Sequence, residues 1–453
     1  MTDITVGDSP KTDDIPGLVA RRCAMLALDD FLIRSLPLDE TLDRILSGPD
    51  GKGLSDRDRG LARAIALAAT RRLGTIGEAL MKRLEKGLPD HSGRLESILV
   101  AGVAQLLYLD VPDHAAVDLS VRLVQADPEA RRFIKLANGL LRTIARERDA
   151  ILADDDPLNR DTPEWLAAKW VEAYGEDGAK KIAAANMQEA SVDLTVKSDA
   201  IGWAERLDAV VLSTGSVRLK GRTNVISLPG YGDGAWWVQD AAAALPAMLL
   251  DAKPGESIAD LCAAPGGKTA QLAAAGATVV AIDRSAKRLE RLSENMLRLN
   301  LSVESRALDA MLFSGGPFDA ILLDAPCTAT GTIRRHPDVL WTKEAIDLQK
   351  LAALQARLLK KAIGLLKPGG RLMYCTCSLE PEEGELQIAN LLATDDRVVR
   401  SPFGKAEMAK LGPDLARAIN AQGELRTLPY MLPNVDPRLQ GIDGFFAARL
   451  VRT

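Results

Sequence analysis

Cysteines carry the most direct chemical signal in this chain of 453 residues. The five thiols, at 23, 262, 327, 375 and 377, are odd in number and have no framework spacing, so they read as free thiols of a reducing compartment. Two lie just past the ends of apolar runs. DAILLDAPCTATGT places Asp324 and Cys327 beyond one run, and GRLMYCTCSLEPEE places Cys377 beyond another, ahead of a helix start at Pro381 with Glu382 and Glu383. A thiol near a helix N-terminus ionises more readily, and the thiolate is the nucleophile; the chemistry indicated is covalent catalysis with a carboxylate close by. A cysteine is more often a small buried hydrophobe. That reading holds for Cys23 on a helical face and for Cys375, which points the same way as Cys377 but one residue pair deeper. Cys262 sits in a glycine-rich turn and reads as the wall of a pocket.

That turn, SIADLCAAPGGKTAQLAA, is the second signal. A buried strand runs out through Asp260, and Cys262, Ala263, Ala264, Pro265, Gly266 and Gly267 lead into a helix at Lys268. Adjacent glycines let backbone approach a ligand, and a helix N-terminus offers free N–H groups. The spacing is neither that of a P-loop nor of the GxGxxG fingerprint. Asp283 closes TVVAID 23 residues after Asp260, where a doubly wound fold places a carboxylate on ribose hydroxyls. Asp309, in ALDA, is placed at the tip of the third strand. Any one of these acids is as readily a turn or N-cap residue; three at successive strand tips fit an adenosine cofactor without phosphates.

The elements that must position these groups follow from periodicity. From Trp236 onward, short apolar runs (SIADLCA, TVVAID, DAILLD, GRLMYCTC) alternate with amphipathic helices, which implies a parallel, doubly wound α/β sheet over 236–453. Residues 18–150 repeat apolar positions at three and four throughout and read as a bundle of six or seven helices, with Ser55 and the Pro128–Glu129 pair as helix starts. Between them, 160–235 mixes helix with strand-like VDLTVKS, DAVVLS and NVISL, a small α+β unit, and ADDDPLNRDTP reads as a linker. Residues 1–17 are polar and acidic, a disordered lead-in.

Composition is that of a globular protein, 47% hydrophobic and 26% charged. The net charge of -5 argues against binding nucleic acid through bulk positive charge, yet it resides in the first 50 residues; the remainder holds 52 basic and 52 acidic side chains. No apolar run approaches the ~20 residues of a membrane span. His91 and His114 have no cysteine partners at metal-ligand spacing, so no metal site is expected.

DLCAAPGGKT, DAPCTATGTIRRHPD, TCSLEPEE and DGFFAARL, in this order, resemble the motifs of the Sun/RsmB family of ribosomal RNA cytosine-5 methyltransferases. LPGYGDGAWWVQDAAA and PEWLAAKWVEAYG are similar to the segments leading into that family's catalytic domain. LVARRCAMLAL, DRDRGLARAI, ILVAGVAQLLYL and FIKLANGLLRTIARE resemble a NusB-like RNA-binding domain. The resemblance implies a Rossmann-like fold that uses S-adenosyl-L-methionine, held by residues 262–268 with Asp283, Asp309 and Asp324. It implies Cys377 as the nucleophile on carbon 6 of cytosine, Cys327 as an aid to release, and Asp324 on the base edge. The partner implied is 16S ribosomal RNA, naked or in an early small-subunit particle, met in the cytoplasm by a monomer with no membrane attachment.

Two departures from the family pattern stand out. Thr195 and Lys197 lie where an Arg-Val-Asn stretch is usual, and Gly384 follows Glu383 where asparagine is usual. Arginines at 57, 59, 63, 71 and 72, and at 131, 132, 142, 146 and 148, are candidate RNA contacts, although a charge run is usually a solvated face. Arg334, Arg335 and His336 are candidates for phosphates near the target base. The competing readings are a methyltransferase for transfer RNA or for DNA cytosine, and a non-catalytic RNA-binding or assembly factor. The intact Cys327, Cys377, Asp324 and cofactor turn oppose the last.

Overall fold

The computed structural model describes residues 15–221 and 224–453, and the lead-in expected over 1–17 lies outside the described residues up to position 14. The chain divides into two compact units: 1–164 with 336–342, and 165–335 with 343–453.

The first unit is helical. Its main helices are Leu18–Arg34, Leu38–Ser47, Asp56–Arg71, Leu73–Met81, Leu95–Tyr108, Asp113–Ala126 and Ile134–Arg146. They bury one continuous core that includes Leu28, Leu42, Ile65, Leu99 and Leu141. Ser55 caps its helix as expected, accepting from the Asp58 N–H at 3.1 Å. The segment read as a linker is built in: Asp156 caps a short helix, Pro157–Arg160, and buried Asp161 accepts from the Thr75 N–H and hydroxyl. Clustered acids there serve as caps rather than marking free chain. Residues 336–342 join this unit through Trp341, which packs on the helical core and donates to the Thr70 carbonyl, and through Asp338, which accepts from the Leu38 N–H.

The second unit holds two sheets. The smaller is fully antiparallel, in the order β2-β3-β1-β4, from β1 (Asp193–Val196), β2 (Ala209–Val211), β3 (Val217–Leu219) and β4 (Trp236–Val238). NVISL is not a strand: the Asn224 side chain accepts from the Ile226 N–H and turns Val225–Ser227 into a 3-10 helix.

The larger sheet runs β10-β12-β9-β8-β5-β6-β7, with β11 paired to β12. Its strands are β5 (Ser257–Leu261), β6 (Thr278–Asp283), β7 (Glu304–Ala307), β8 (Phe318–Asp324), β9 (Leu366–Thr376), β10 (Val398–Arg400), β11 (Leu425–Thr427) and β12 (Phe445–Arg452). β5 to β9 are parallel, as expected, but β12 runs antiparallel beside β9, so the sheet is mixed. Successive residues feed opposite faces: Ala320, Leu322, Met373 and Cys375 pack with helix Ala241–Leu250, and Ile321, Leu323, Leu372 and Tyr374 with helix Ala345–Leu365. Because β5, β6, β8 and β9 are parallel and in register, their C-terminal ends share one edge, with Asp324 opposite Cys375 and Leu261 beside Leu323 and Ile282. Ligands bind at that edge in open α/β sheets.

Candidate active site

The turn after β5 is shaped by two left-handed residues, Cys262 at φ 65° and Gly266 at φ 102°. A Cβ at Gly266 would come within 2.7 Å of Leu292, so only glycine closes this turn onto helix Ala286–Arg298. Helix Gly267–Ala274 opens there without a side-chain cap. Asp260 ends the strand wholly buried; its Oδ2 accepts from Thr269 Oγ1 at 2.6 Å and its Oδ1 has no partner. Burial, with the Asp324 and Asp283 charges adding, pushes Asp260 up to about 7. Burial also pushes the Cys262 thiol up to about 12, which suits a pocket wall and not a nucleophile.

Asp283, at the tip of β6, accepts from the Ala264 N–H at 3.2 Å and from the Ser285 N–H, which fixes the glycine-rich turn to the second strand. Asp309 lies two residues past β7, exposed, and accepts from the Met311 N–H. An unpartnered buried carboxylate oxygen, two strand-tip acids and close backbone fit a ligand rich in hydroxyl and amine donors. Lys268, the one lysine of the turn, is not directed at a phosphate: its ammonium donates to Asp324 Oδ2 at 2.8 Å and stands 4.7 Å from the Phe445 ring centre. Burial works against that charge, but Asp324 outweighs it and the ammonium is held more firmly than usual.

Cys327 and Cys377 face each other with their sulfurs 3.5 Å apart. The hydrogen bond with Cys377, together with burial, holds the Cys327 proton well above the ordinary thiol range. Cys375 is wholly buried in the sheet core, its Sγ 3.6 Å from Asp324 Oδ1, and burial raises it strongly. The helix argument for Cys377 needs revision. Pro381–Glu383 is a single 3-10 turn, and the helix proper spans Glu385–Thr394, eight residues beyond the thiol. Glu380 and Glu383 fold back beneath the cysteine loops instead of standing at a helix N-terminus.

Glu380 was not singled out in the sequence, and Glu383 was read only as an acid at a helix start. Glu383 accepts from the Thr328 N–H at 3.1 Å, the Thr328 hydroxyl at 2.5 Å and Gln355 Nε2 at 2.9 Å. Glu380 accepts from the Ser378 hydroxyl at 2.7 Å, the Thr330 hydroxyl, and Trp170 Nε1 at 3.2 Å, with the Thr328 hydroxyl oxygen also 3.1 Å away. The loops also cross a third segment: the Gly331 N–H donates to the Cys377 carbonyl, and the Gly444 N–H to the Gly331 carbonyl. A Cβ on Gly331 would lie 1.9 Å from the Gly444 carbonyl oxygen, so the crossing tolerates no side chain.

The departures have local explanations. Thr195 donates to Gln239 Oε1 at 2.9 Å, and Lys197 donates to the Leu299 carbonyl. A Cβ at Gly384 would meet Arg426 Nη2 at 2.4 Å, so the arginine fills the space an asparagine would need.

Most of the arginine candidates have structural partners. Arg59 donates to the carbonyls of Leu46, Gly51 and Leu54, Arg63 pairs with Asp43 at 2.6 Å, Arg71 is buried, and Arg72 pairs with Asp155 and Asp161. Arg334 is buried on the Gln440 carbonyl, Arg335 pairs with Asp443 at 2.5 Å, and His336 with Asp39 at 2.7 Å. In this structure these side chains serve as internal ties. Among the described residues no group of three or more His, Cys, Asp or Glu is placed to hold a metal ion, and no helix is long and apolar enough to cross a membrane.

Comparison with known proteins agrees with both units. The profile described as 16S rRNA methyltransferase RsmB/F matches residues 247–451, and that of the NusB family matches 18–146. Ribosomal RNA small subunit methyltransferase B of Klebsiella pneumoniae is 34% identical, with 91% of this chain and 94% of that protein covered. Its namesake from Pseudomonas putida is 35% identical, over 88% and 95%. The crystal structure of a methyltransferase homologue from Pyrococcus horikoshii, 28% identical, superposes with a TM-score of 0.54 over 64% of this chain and 95% of that one. With paired cysteines and a glycine-rich turn on one sheet edge, and relatives aligned over nearly their whole length, the chain belongs to the RsmB/F family of 16S ribosomal RNA methyltransferases.

Proposed function

We propose that the chain methylates carbon 5 of a cytosine in 16S ribosomal RNA through a covalent adduct on Cys377. The observation that carries this is the Cys327–Cys377 pair, 3.5 Å between sulfurs, on the strand edge that also holds Asp324 and Lys268. Carbon 5 of cytosine is a poor nucleophile. Addition of the Cys377 thiolate to carbon 6 moves the electrons of the ring double bond toward carbon 5 and makes it reactive. Residues 262–268 with Asp283 and Asp309 would hold S-adenosyl-L-methionine, which would supply an electrophilic methyl group to carbon 5. The carbon 5 proton passes to water, which restores the double bond as the carbon–sulfur bond breaks and its electrons return to Cys377. Cys327, whose sulfur lies 3.5 Å from that of Cys377, assists that departure. Asp324 accepts from the base edge, and Lys268 fixes it in place. A paired target base has to leave its stack first, which a loop nucleotide avoids.

The helical unit supplies RNA affinity. Lys135, Asn138, Arg142 and Arg146 recur at three and four along Ile134–Arg146, and the described residues give the three cations no carboxylate partner. Asn138, Arg142 and Arg146 border a groove of about 990 Å³ that His114, Thr143, Asp113 and Asp118 also line. Unpaired cations beside a groove suit phosphate backbone.

Cys377→Ala abolishes methyl transfer in a tritium assay on small-subunit RNA. Retained activity overturns the adduct mechanism.

A further inference from the structure

Cys327 and Cys377 lie 50 residues apart on separate loops, so nothing local in the chain keeps their sulfurs in contact. The residue after each cysteine does. Thr328 and Ser378 both hang on this pair of carboxylates: Thr328 gives its N–H and its hydroxyl to Glu383, with its oxygen also 3.1 Å from Glu380, and Ser378 gives its hydroxyl to Glu380. The Thr328 and Ser378 hydroxyls also stand 3.3 Å apart. All four side chains are 0–1% exposed. A buried carboxylate is tolerated only when its oxygens are satisfied, and these are satisfied by the two loops themselves, by Gln355 and by Trp170. The Glu383 carbonyl accepts in turn from Tyr374 and Thr376 on β9, which fixes the carboxylates to the strand that delivers Cys377.

We infer that Glu380 and Glu383 are positioning residues, a paired anchor that ties Thr328 to Ser378 and so sets the gap between the two sulfurs. This inference rests on the proposal that both thiols act on one substrate. It predicts a defect in turnover and not in binding, because none of the four groups lies in the cofactor turn.

The decisive variant is Thr328→Val, which keeps the shape and the backbone N–H but removes the hydroxyl that lies against both carboxylates; Thr328→Ser restores it. Two readouts are needed. Phenylarsine oxide condenses with two nearby thiols, its oxygen leaving as water while two arsenic–sulfur bonds form, so it gauges the resting gap without RNA. Cys327→Ala and Cys377→Ala controls define the pair's share of that binding. Thr328→Val weakens arsenical binding about tenfold and lowers kcat roughly 10- to 100-fold, as expected for a misplaced reacting group, with KM for RNA within twofold. Thr328→Ser behaves as wild type. Unchanged arsenical binding in Thr328→Val, or weakened binding with normal kcat, overturns the anchor role. A separate failure is distinguishable: if Cys377→Ala still methylates RNA, the adduct chemistry is wrong, while the arsenical measurement still decides whether the carboxylates set the gap.

Discussion

Replacing Arg218 by methionine removes the centre of a buried ionic knot. The guanidinium, 1% exposed, donates to both oxygens of Asp193 at 2.7 Å and to the carbonyls of Leu439 and Gly441 at 2.8 Å. Methionine matches the stem but leaves the Asp193 carboxylate with only the Ala241 N–H, and two carbonyls dry and unpaired. Breaking one partner of a buried pair costs about 3–5 kcal/mol. For a body of this size 1 kcal/mol moves Tm by about 2 °C, so a fall of roughly 6–10 °C is expected. Removing both charges, in Asp193→Leu with Arg218→Met, restores the share of that loss that lies in the stranded charge. The two carbonyls stay orphaned at about 1–3 kcal/mol each, so the double variant remains less stable than wild type. Scanning calorimetry on the wild type, both single variants and the double variant gives the cycle. A single Arg218→Met variant that melts within about 2 °C of wild type refutes the reasoning, as does a double variant less stable than either single one.

Further expectations follow from the site. Cys327→Ala accumulates a covalent RNA–protein complex, visible as a shifted band on a denaturing gel; its absence rejects the release role. Arg142→Glu with Arg146→Glu weakens RNA binding and lowers the salt slope by about 0.7–0.9 per lost phosphate contact, whereas Arg63→Glu, whose wild-type partner is Asp43, leaves the slope unchanged. Native Asp260 holds its proton to about 7 and releases it near 4 when unfolded, so its burial makes stability decline as pH rises through that window. Asp260→Asn removes that part of the decline, and identical Tm–pH curves for the two proteins would show that the carboxyl is not the source.

Much of this architecture was legible because the strands announce themselves. SIADL, TVVAID, FDAILLD and the run ending at Cys375 are apolar stretches bounded by turn residues, and each became a strand of the large sheet. The thiols and strand-tip acids were legible for the same reason: they follow those runs directly. Charge was less readable, since an arginine looks alike whether it faces solvent or closes a carbonyl, as Arg59 does. The antiparallel β12 was missed because alternation carries no direction. Glu383 was read through its short-range context, as an acid opening a helix, and Glu380 was not singled out. Their partners on Thr328 and Thr330 lie 50 or more residues away, and no local pattern encodes that meeting.

The seven residues from His336 to Thr342 have a consequence for modularity. They belong to the helical unit although the chain on both sides of them belongs to the other, so three covalent crossings join the two bodies. The helical unit is therefore not a cassette. Truncation at 164 would strip cover from wholly buried Leu340 and from Trp341, leaving an apolar tab a few residues along the chain from the Cys327 loop. A single protease cut between 153 and 163 would yield fragments that stay together until denatured, because the tab is still clasped by its own helices. Exchange of this unit between homologues has to carry both pieces.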